Sequence, residues 1–300
     1  MSKLKSHKFR GAGVALVTPF DKKGSIDFLS MEKLIEHVIK NKIDFVLLSG
    51  TTGESPVITS EEKKELKEFL VKTVKKRVPI LLGMGGNNTA ELLSSFKKMN
   101  FDGIDGVLSV CPYYNKPSQE GLFQHYKAVS EVSPAPVILY NVPGRSVINI
   151  EPETTLRLAD ACPNIIGIKE ATDNLDHVMK LIKQKPDGFL VTAGDDALAL
   201  PLISIGADGL ISVMSNAFPK EFSEMVNLAL NNDFDKARKI HYKLHYLMQG
   251  LLSVGNPGGI KAILDILQIV PNRFRLPYVP ISKEKYKELS VLVEKYLTNS

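Results

Sequence analysis

Lysine, tyrosine and hydroxyl side chains stand at the ends of three short apolar runs of the sequence. Lys169 directly follows the run at residues 165–168, Tyr140 ends a second run, and Thr51 and Thr52 follow a third. An ammonium group at the end of so apolar a run would be partly desolvated, which favours the neutral amine. A neutral lysine amine can form a Schiff base with a carbonyl substrate. The sequence therefore predicts a nucleophilic amine with hydroxyl groups near it.

The neighbouring groups have candidate roles in such chemistry. A phenol such as that of Tyr140, placed beside an imine, can pass protons to and from the reacting carbons. Thr51 and Thr52 lie in a loop flanked by glycines, where hydroxyl and backbone N–H groups suit a small carboxylate. Arg145 can hold a second carboxylate through two parallel hydrogen bonds.

Each of these residues also has a structural interpretation that the sequence leaves open. Lys169 could extend its ammonium group to solvent from a strand end, and Tyr140 could be a core aromatic residue. The threonine loop could be a plain turn, and Arg145 could be a solvated loop residue. Gly167 favours the catalytic interpretation, because it shares the strand parity of Lys169 and predicts open space below the amine for a small ligand.

Eight short apolar runs recur along the chain, and a segment of helical period follows each. The runs are residues 14–17, 45–48, 80–82, 106–108, 137–140, 165–168, 189–191 and 209–211. They are continuously apolar rather than alternating, which is typical of strands buried on both faces of a parallel sheet. Strict alternation of strand and helix predicts an α/β fold, a (β/α)₈ TIM barrel. Catalytic residues of this fold lie at the C-terminal ends of the strands, where the residues above are found.

The pattern becomes purely helical beyond residue 230. Prolines at positions 257, 271, 277 and 280 interrupt it. No Gly/Ser-rich linker sets this part apart from the rest. We therefore expect two regions, a (β/α)₈ barrel at residues 1–230 and a C-terminal helical region at residues 231–300 that packs on the barrel.

Composition excludes several classes of protein. With 44% apolar and 24% charged residues among 300, the chain is an ordinary globular sequence and not a disordered one. The net charge of +5 is modest, and the basic clusters lack interleaved aromatic residues, so nucleic acid is not expected as a partner. The two cysteines form neither a disulfide framework nor a zinc knuckle. The apolar run near the start is too short for a signal sequence or membrane span, so a cytoplasmic location without a membrane partner is expected.

Four motifs together resemble the dihydrodipicolinate synthase / N-acetylneuraminate lyase family. They are GTTGES at residues 50–55, PYYNKP at 112–117, YNVPGR at 140–145 and GIKEAT at 167–172. The resemblance implies a class I aldolase-type condensation. Lys169 would form an imine with pyruvate, and the derived enamine would attack L-aspartate 4-semialdehyde. Because protein groups would do all the activation, neither a metal nor an organic cofactor is expected.

The resemblance also implies roles for individual residues. Tyr140, Thr51 and Tyr114 would form a proton relay, in which Tyr114 reaches into the neighbouring subunit's site. Members of the family are commonly tetramers built from tight dimers, so a homotetramer is expected. The other positions are Thr52 for the pyruvate carboxylate, Arg145 for the semialdehyde carboxylate, and Gly194 and Ile211 as pocket lining.

Feedback inhibition by L-lysine is a further implication of the resemblance. Residues matching the effector site of regulated members are present, namely Ser55, Asn87, Glu91 and Tyr113. Ser60 and Lys63 stand where such enzymes often carry histidines, and Lys63 would place a positive charge near a cationic ligand. We therefore expect inhibition by lysine that is present but weakened.

Two competing interpretations remain at this stage. A sister pyruvate aldolase that cleaves N-acetylneuraminate or a keto-deoxy sugar acid would use Lys169 and Tyr140 equally well. Neuraminate-cleaving members usually lack the Thr-Thr pair and the loop arginine, so Thr51 with Arg145 favours the semialdehyde. A non-catalytic barrel is disfavoured, because every residue that the chemistry requires is present.

Overall fold

The protein, described here from a computed structural model that covers residues 7–298, is built around a closed barrel of eight parallel strands. Each strand pairs with its neighbours in the sequence, and β1 pairs with β8 to close the barrel. The predicted (β/α)₈ barrel is therefore confirmed. The strands are β1 (Gly11–Ala15), β2 (Phe45–Leu48), β3 (Ile80–Gly83), β4 (Gly106–Val110), β5 (Val137–Asn141), β6 (Ile165–Glu170), β7 (Leu190–Ala193) and β8 (Gly209–Ser212).

Helices connect the strands and form the outer layer. Two of them, α5 (Pro143–Ser146) and α6 (Pro152–Ala161), lie between β5 and β6, and α9 (Pro219–Leu230) follows β8. No helix within residues 7–298 is long and apolar enough to cross a membrane. The helices of this outer layer are α1 (Phe28–Lys40), α2 (Ser60–Val74), α3 (Thr89–Lys98), α4 (Gln119–Val132), α5 (Pro143–Ser146), α6 (Pro152–Ala161), α7 (Leu175–Gln184), α8 (Ala199–Ser204) and α9 (Pro219–Leu230).

The first strand lies three residues earlier than the apolar run at 14–17 predicts. β1 includes Gly11 and Gly13, although glycines are typical of turns and loops and the predicted strand excludes them. Glycine is required at position 13 because a Cβ there would lie 2.2 Å from a ring carbon of Phe45. A close approach between neighbouring parts of the barrel thus explains a glycine inside a strand.

Alternate residues of the strands contribute to two apolar layers. Inward-facing side chains such as Ala15, Leu47 and Leu108 fill the barrel interior together with Tyr140. The outward-facing side chains pack beneath the helices in a much larger cluster. The closed bottom of the barrel leaves its C-terminal mouth as the place for a site.

Three helices form the C-terminal region. They are α10 (Phe234–Val254), α11 (Gly258–Ile266) and α12 (Lys283–Thr298). α10 packs against α8 and α9, and its apolar side chains Leu244 and Leu247 belong to the same buried cluster as the outer face of the barrel. The division of the chain at residues 230 and 231 remains a prediction.

Candidate active site

A cavity of about 400 Å³ opens at the C-terminal ends of the strands. Polar groups from four strand ends and from the C-terminal region converge on it. Six of the eight residues predicted for catalysis and substrate binding line this one cavity, namely Thr51, Thr52, Tyr140, Arg145, Lys169 and Gly194.

Lys169 lies near the end of β6 and is almost completely buried, with 4% of its surface exposed. Burial, assisted by the positive charge of Arg145, lowers the pKa of its amine to about 8, against the raising effect of Asp196. The amine is therefore partly neutral near pH 7, as a nucleophile that attacks a carbonyl must be.

The space below the amine differs from the prediction. A Cβ at Gly167 would lie 2.7 Å from both Cβ and O of Leu190, so β7 fills the place expected to hold a ligand. Gly194, at the end of β7, is the glycine that makes room for the lysine, because a Cβ there would lie 2.9 Å from Cε of Lys169. The cavity lies beyond the lysine, towards the barrel mouth, rather than below it.

Tyr140 is the close neighbour of the amine. It is paired with Lys169 in the register of β5 and β6, and the lysine Nζ lies 4.5 Å from the centre of its ring. Burial raises the pKa of Tyr140, against the lowering effects of Arg145 and of a hydrogen bond with the Thr51 hydroxyl. The phenol therefore stays protonated at neutral pH and is ready to donate a proton.

A buried polar network holds the ends of β5 and β6 from outside the barrel. Asn141 Nδ2 donates to Glu170 Oε2 at 3.0 Å, and His177 Nε2 lies 3.1 Å from Glu170 Oε1. Side chains alternate along a strand, so Asn141 and Glu170 face outwards where Tyr140 and Lys169 face the cavity. Fixing the outward pair therefore fixes the direction of the inward pair.

The threonine loop follows β2. Thr52 is buried, and its Oγ1 accepts a hydrogen bond from Asn256 Nδ2 at 3.0 Å. Gly53 lies against the barrel, where its carbonyl oxygen accepts a hydrogen bond from Thr18 Oγ1 at 2.7 Å. The loop is thus held by the barrel on one side and by the C-terminal region on the other.

Arg145 lies on α5, a single helical turn that the sequence pattern predicts as a loop. Its side chain is exposed at the mouth of the cavity, and a guanidinium nitrogen donates to the carbonyl oxygen of Asn256 at 3.4 Å. The other donors of the guanidinium group make no hydrogen bond within residues 7–298 and can bind an anion at the entrance.

Tyr114 and Ile211 are not brought into this cavity. The Tyr114 side chain is 83% exposed, and its backbone has a left-handed φ of 76°. Ile211 is completely buried in the inner apolar layer together with Tyr140. Within one chain, therefore, Tyr114 does not line the cavity with Tyr140 and Thr51, and its predicted role in a neighbouring subunit stays a prediction.

Three cavity residues were missed by the sequence-based reasoning. Asp195 and Asp196 come after β7 and Gly194, where the strand-end rule that selected Lys169 would also have found them. Burial raises the pKa of Asp196 to about 6, and hydrogen bonds from Ser212 and two backbone amides oppose that rise. Asn256 comes from the C-terminal region, so no strand-end pattern points to it. These residues add negative charge and an amide to the wall facing Lys169.

A separate cavity of about 400 Å³ adjoins the threonine loop on the side of α2 and α3. Ser55, Glu91, Ser60 and Lys63 line it. Burial lowers the pKa of the Lys63 amine. Asn87 lies on the surface, and its Nδ2 donates to the carbonyl oxygen of Tyr113 at 3.2 Å. Ser55 and Tyr113 also line an adjoining cavity together. The residues predicted for the lysine effector are thus neighbours, and their role stays a prediction.

Residues 7–298 hold no cluster of three or more histidine, cysteine, aspartate or glutamate side chains placed to bind a metal ion.

The sequence profile of the dihydrodipicolinate synthetase family matches residues 8–296. The chain belongs to this family. The resemblance drawn from the four motifs is therefore confirmed, over nearly the whole length of the chain.

Relatives within the family are similar in both sequence and structure. A 4-hydroxy-tetrahydrodipicolinate synthase from Parabacteroides distasonis is 47% identical over 283 residues, which cover 93% of this chain and 95% of the relative. The crystal structure of dihydrodipicolinate synthase from Aquifex aeolicus has a TM-score of 0.93 at 40% identity and covers 96% of this chain and 98% of its own. The family enzyme from Cyanidioschyzon merolae, solved with lysine bound, has a TM-score of 0.93 at 35% identity, with 97% and 99% covered.

Proposed function

We propose that this chain is a lyase that condenses pyruvate with L-aspartate 4-semialdehyde to give 4-hydroxy-tetrahydrodipicolinate. The observation that carries the proposal is Lys169, a buried amine whose pKa is lowered to about 8, beside a protonated Tyr140 in the barrel mouth. The curated relative at 47% identity, which bears the name of this activity, supports the same substrates. Such an enzyme serves the biosynthesis of diaminopimelate and lysine.

The reaction begins with the attack of the Lys169 amine on C2 of pyruvate. The carbinolamine that forms loses water to give an imine, and loss of a proton from C3 then gives the enamine. Tyr140, hydrogen-bonded to Thr51, passes these protons. Thr52, which lines the same cavity, holds the pyruvate carboxylate.

The second half of the reaction joins the two substrates. C3 of the enamine attacks the aldehyde carbon of the semialdehyde, and the aldehyde oxygen takes up a proton. The amino group of the semialdehyde portion then attacks C2, which closes the ring and releases Lys169 as the free amine. Arg145 at the entrance holds the semialdehyde carboxylate through two hydrogen bonds.

The assembly that we propose is a homotetramer made of dimers, located in the cytoplasm. Its support is the exposure of Tyr114, whose large side chain lies outside the cavity of its own chain. In a dimer, this residue completes the relay of the neighbouring site. The tetramer itself rests on the family's common assembly.

L-Lysine is the proposed effector, bound near the cavity that Ser55 and Glu91 line, with Tyr113, which lines an adjoining cavity together with Ser55, and Asn87, which bonds to Tyr113. The relative from Cyanidioschyzon merolae, solved with lysine bound, supports an effector of this chemistry. Lys63 lines the same cavity and repels a cationic ligand, so we expect the inhibition to be weak.

The activity is tested by supplying the purified protein with pyruvate and aspartate semialdehyde, and in parallel with N-acetylneuraminate, under metal-free conditions. We expect consumption of pyruvate with the semialdehyde and no cleavage of the sugar acid. Cleavage of the sugar acid alone would retain Lys169 and the barrel but assign the chain to the sister aldolases. Turnover of neither would contradict the proposal.

A further inference from the structure

A buried ion pair connects the C-terminal region to the loop that carries the threonines. Glu54 and Lys261 are both completely buried, and Lys261 Nζ donates to the Glu54 carboxylate. The same Nζ donates to the carbonyl oxygen of Arg273 at 2.8 Å and lies 4.4 Å from the centre of the Phe20 ring. The ammonium group of Lys261 is therefore held from three directions.

Such a pair is an inefficient way to stabilise a fold. Removing two charges from water carries a desolvation penalty that their attraction often only offsets. Burial raises the pKa of Glu54 and lowers that of Lys261 to about 8, and both shifts are in the direction that this desolvation penalty produces. What a buried pair does provide is a fixed geometry, because a charge left without its partner is costly.

The geometry that this pair fixes is that of the threonine loop. Glu54 follows Thr51 and Thr52 within the same turn, and its backbone N–H donates to the carbonyl oxygen of Thr51 at 3.0 Å. Glu54 has a left-handed φ of 56°, an unfavourable conformation for a residue other than glycine. Tight tertiary contacts are needed to maintain such a conformation, and its side chain has one in Lys261.

A second contact from the C-terminal region reaches the same loop. Asn256 Nδ2 donates to Thr52 Oγ1 at 3.0 Å. Lys261 lies in α11, and Asn256 lies two residues before the start of this helix. Residues 256–261 therefore contact the loop at Thr52 and at Glu54, on either side of Gly53.

We propose that Lys261 is a positioning residue, which acts through Glu54 to hold Thr51 and Thr52 in the geometry that pyruvate binding and proton transfer require. The inference rests on the proposed function, since it gives these threonines their roles. Lys261 does not line the cavity. Through Lys261, the C-terminal helical region thus contributes to catalysis although this residue does not touch the substrate.

The chain offers a matched control. Lys185 and Asp208 form another ion pair of low exposure, with 2.5 Å between Nζ and Oδ2, and Asp208 directly precedes the N-terminal end of β8. This pair lies at the opposite end of the barrel from the cavity. Breaking it tests what the loss of a buried ion pair does to folding alone.

The test compares Lys261→Met with Lys185→Met, and adds the double variant Glu54→Gln/Lys261→Met, which removes both charges. For Lys261→Met we expect kcat to fall on the order of tenfold or more and the KM for pyruvate to rise, because a displaced threonine loop misaligns the reacting groups. The KM for the semialdehyde, which Arg145 sets, stays within about twofold of the wild-type value. Lys185→Met lowers the melting temperature but leaves kcat and both KM values within about twofold.

The double variant separates positioning from folding. It recovers the melting temperature, since no buried charge is left unpaired, but it does not recover kcat. A kcat that returns together with the melting temperature, or a Lys261→Met enzyme with wild-type kcat and pyruvate KM, would overturn the proposal. If the wild-type protein does not turn over the semialdehyde, the rate of pyruvate imine trapping by borohydride at Lys169 is compared instead. A slower rate in the double variant then supports positioning even though the proposed function has failed, and an unchanged rate overturns it.

Discussion

The reactivity of Lys169 depends on how far burial shifts its amine towards the neutral form. Burial lowers the pKa to about 8 from an ordinary value of 10.5. Below that pKa, the neutral fraction falls about tenfold per pH unit, so imine formation should rise steeply from about pH 6 and level off above about pH 8. Initial rates of borohydride trapping with dilute pyruvate measure this profile. A rise that continues to about pH 10 would show that the amine is solvated.

Arg145 decides between the two aldol acceptors. Arg145→Ala removes the proposed hydrogen bonds to the semialdehyde carboxylate, and because water at the exposed entrance replaces them in part, the net loss is about that of one charged hydrogen bond, about 1.5–3 kcal/mol. We expect kcat/KM for the semialdehyde to fall roughly 10- to 150-fold, while the pyruvate imine still forms. Steady-state kinetics and borohydride trapping on one preparation provide both values. Unchanged kinetics with the semialdehyde would mean that another residue binds its carboxylate.

At this scale the sequence was informative where a residue follows an apolar run. Lys169, Tyr140 and Thr52 were found in this way, and all three line the cavity. Asn256 escaped because it reaches the cavity from outside the strand pattern, through contacts over 200 positions along the chain. The open space predicted beside Gly167 was wrong because Leu190, on the neighbouring strand, fills it.

At the level of the elements, Gly194 at the end of β7 limits the space beside Lys169. A Cβ at Gly194 would lie 2.8 Å from Cβ of Ala171 and 2.9 Å from Cε of Lys169, closer than these atoms can approach. Gly194→Ala should therefore displace the lysine and slow pyruvate trapping on the order of tenfold or more. Gly86→Ala is the control, since a Cβ there meets no atom of the described residues within 4 Å. Equal trapping rates in the two variants would contradict this role of Gly194.

The elements themselves were largely predictable, because continuous apolar runs identify parallel strands and helical periods identify the segments between them. The exceptions have local physical causes. β1 contains Gly11 and Gly13, where a Cβ would clash with Asp44 and Phe45 respectively, and α5 is a single turn that begins at Pro143, too short to show a helical period. The contact between α11 and the threonine loop was beyond any local pattern, since it joins Glu54 to a residue 207 positions away.

For the whole molecule, the open question is whether one subunit completes the site of another. Tyr114 is 83% exposed and lies outside its own cavity. Coexpression of a Tyr114→Phe chain with a Lys169→Ala chain should restore activity, because half of the sites in a mixed dimer would have both residues. At equal expression and random pairing, about one quarter of the wild-type activity is expected. If Tyr114 acts within its own chain, the mixture will be as inactive as its parents.

The proposed effector cavity is separate from the cavity that contains Lys169, so inhibition by L-lysine is a property of the whole molecule. We expect millimolar L-lysine to slow the enzyme, and Lys63→His to lower the half-inhibitory concentration roughly two- to fivefold, since it removes a nearby like charge. Initial rates across a lysine series measure both effects. A rate that stays flat for both proteins would exclude lysine as the effector.

The most direct test of the account is to locate the imine. The protein is incubated with pyruvate, reduced with borohydride, digested and examined by mass spectrometry, and Lys261, whose pKa burial also lowers to about 8, is an internal comparison. We predict a single reduced pyruvate adduct on the peptide that contains Lys169, and none in the Lys169→Ala variant. An adduct on another lysine, or none in the wild-type protein, would contradict the central claim.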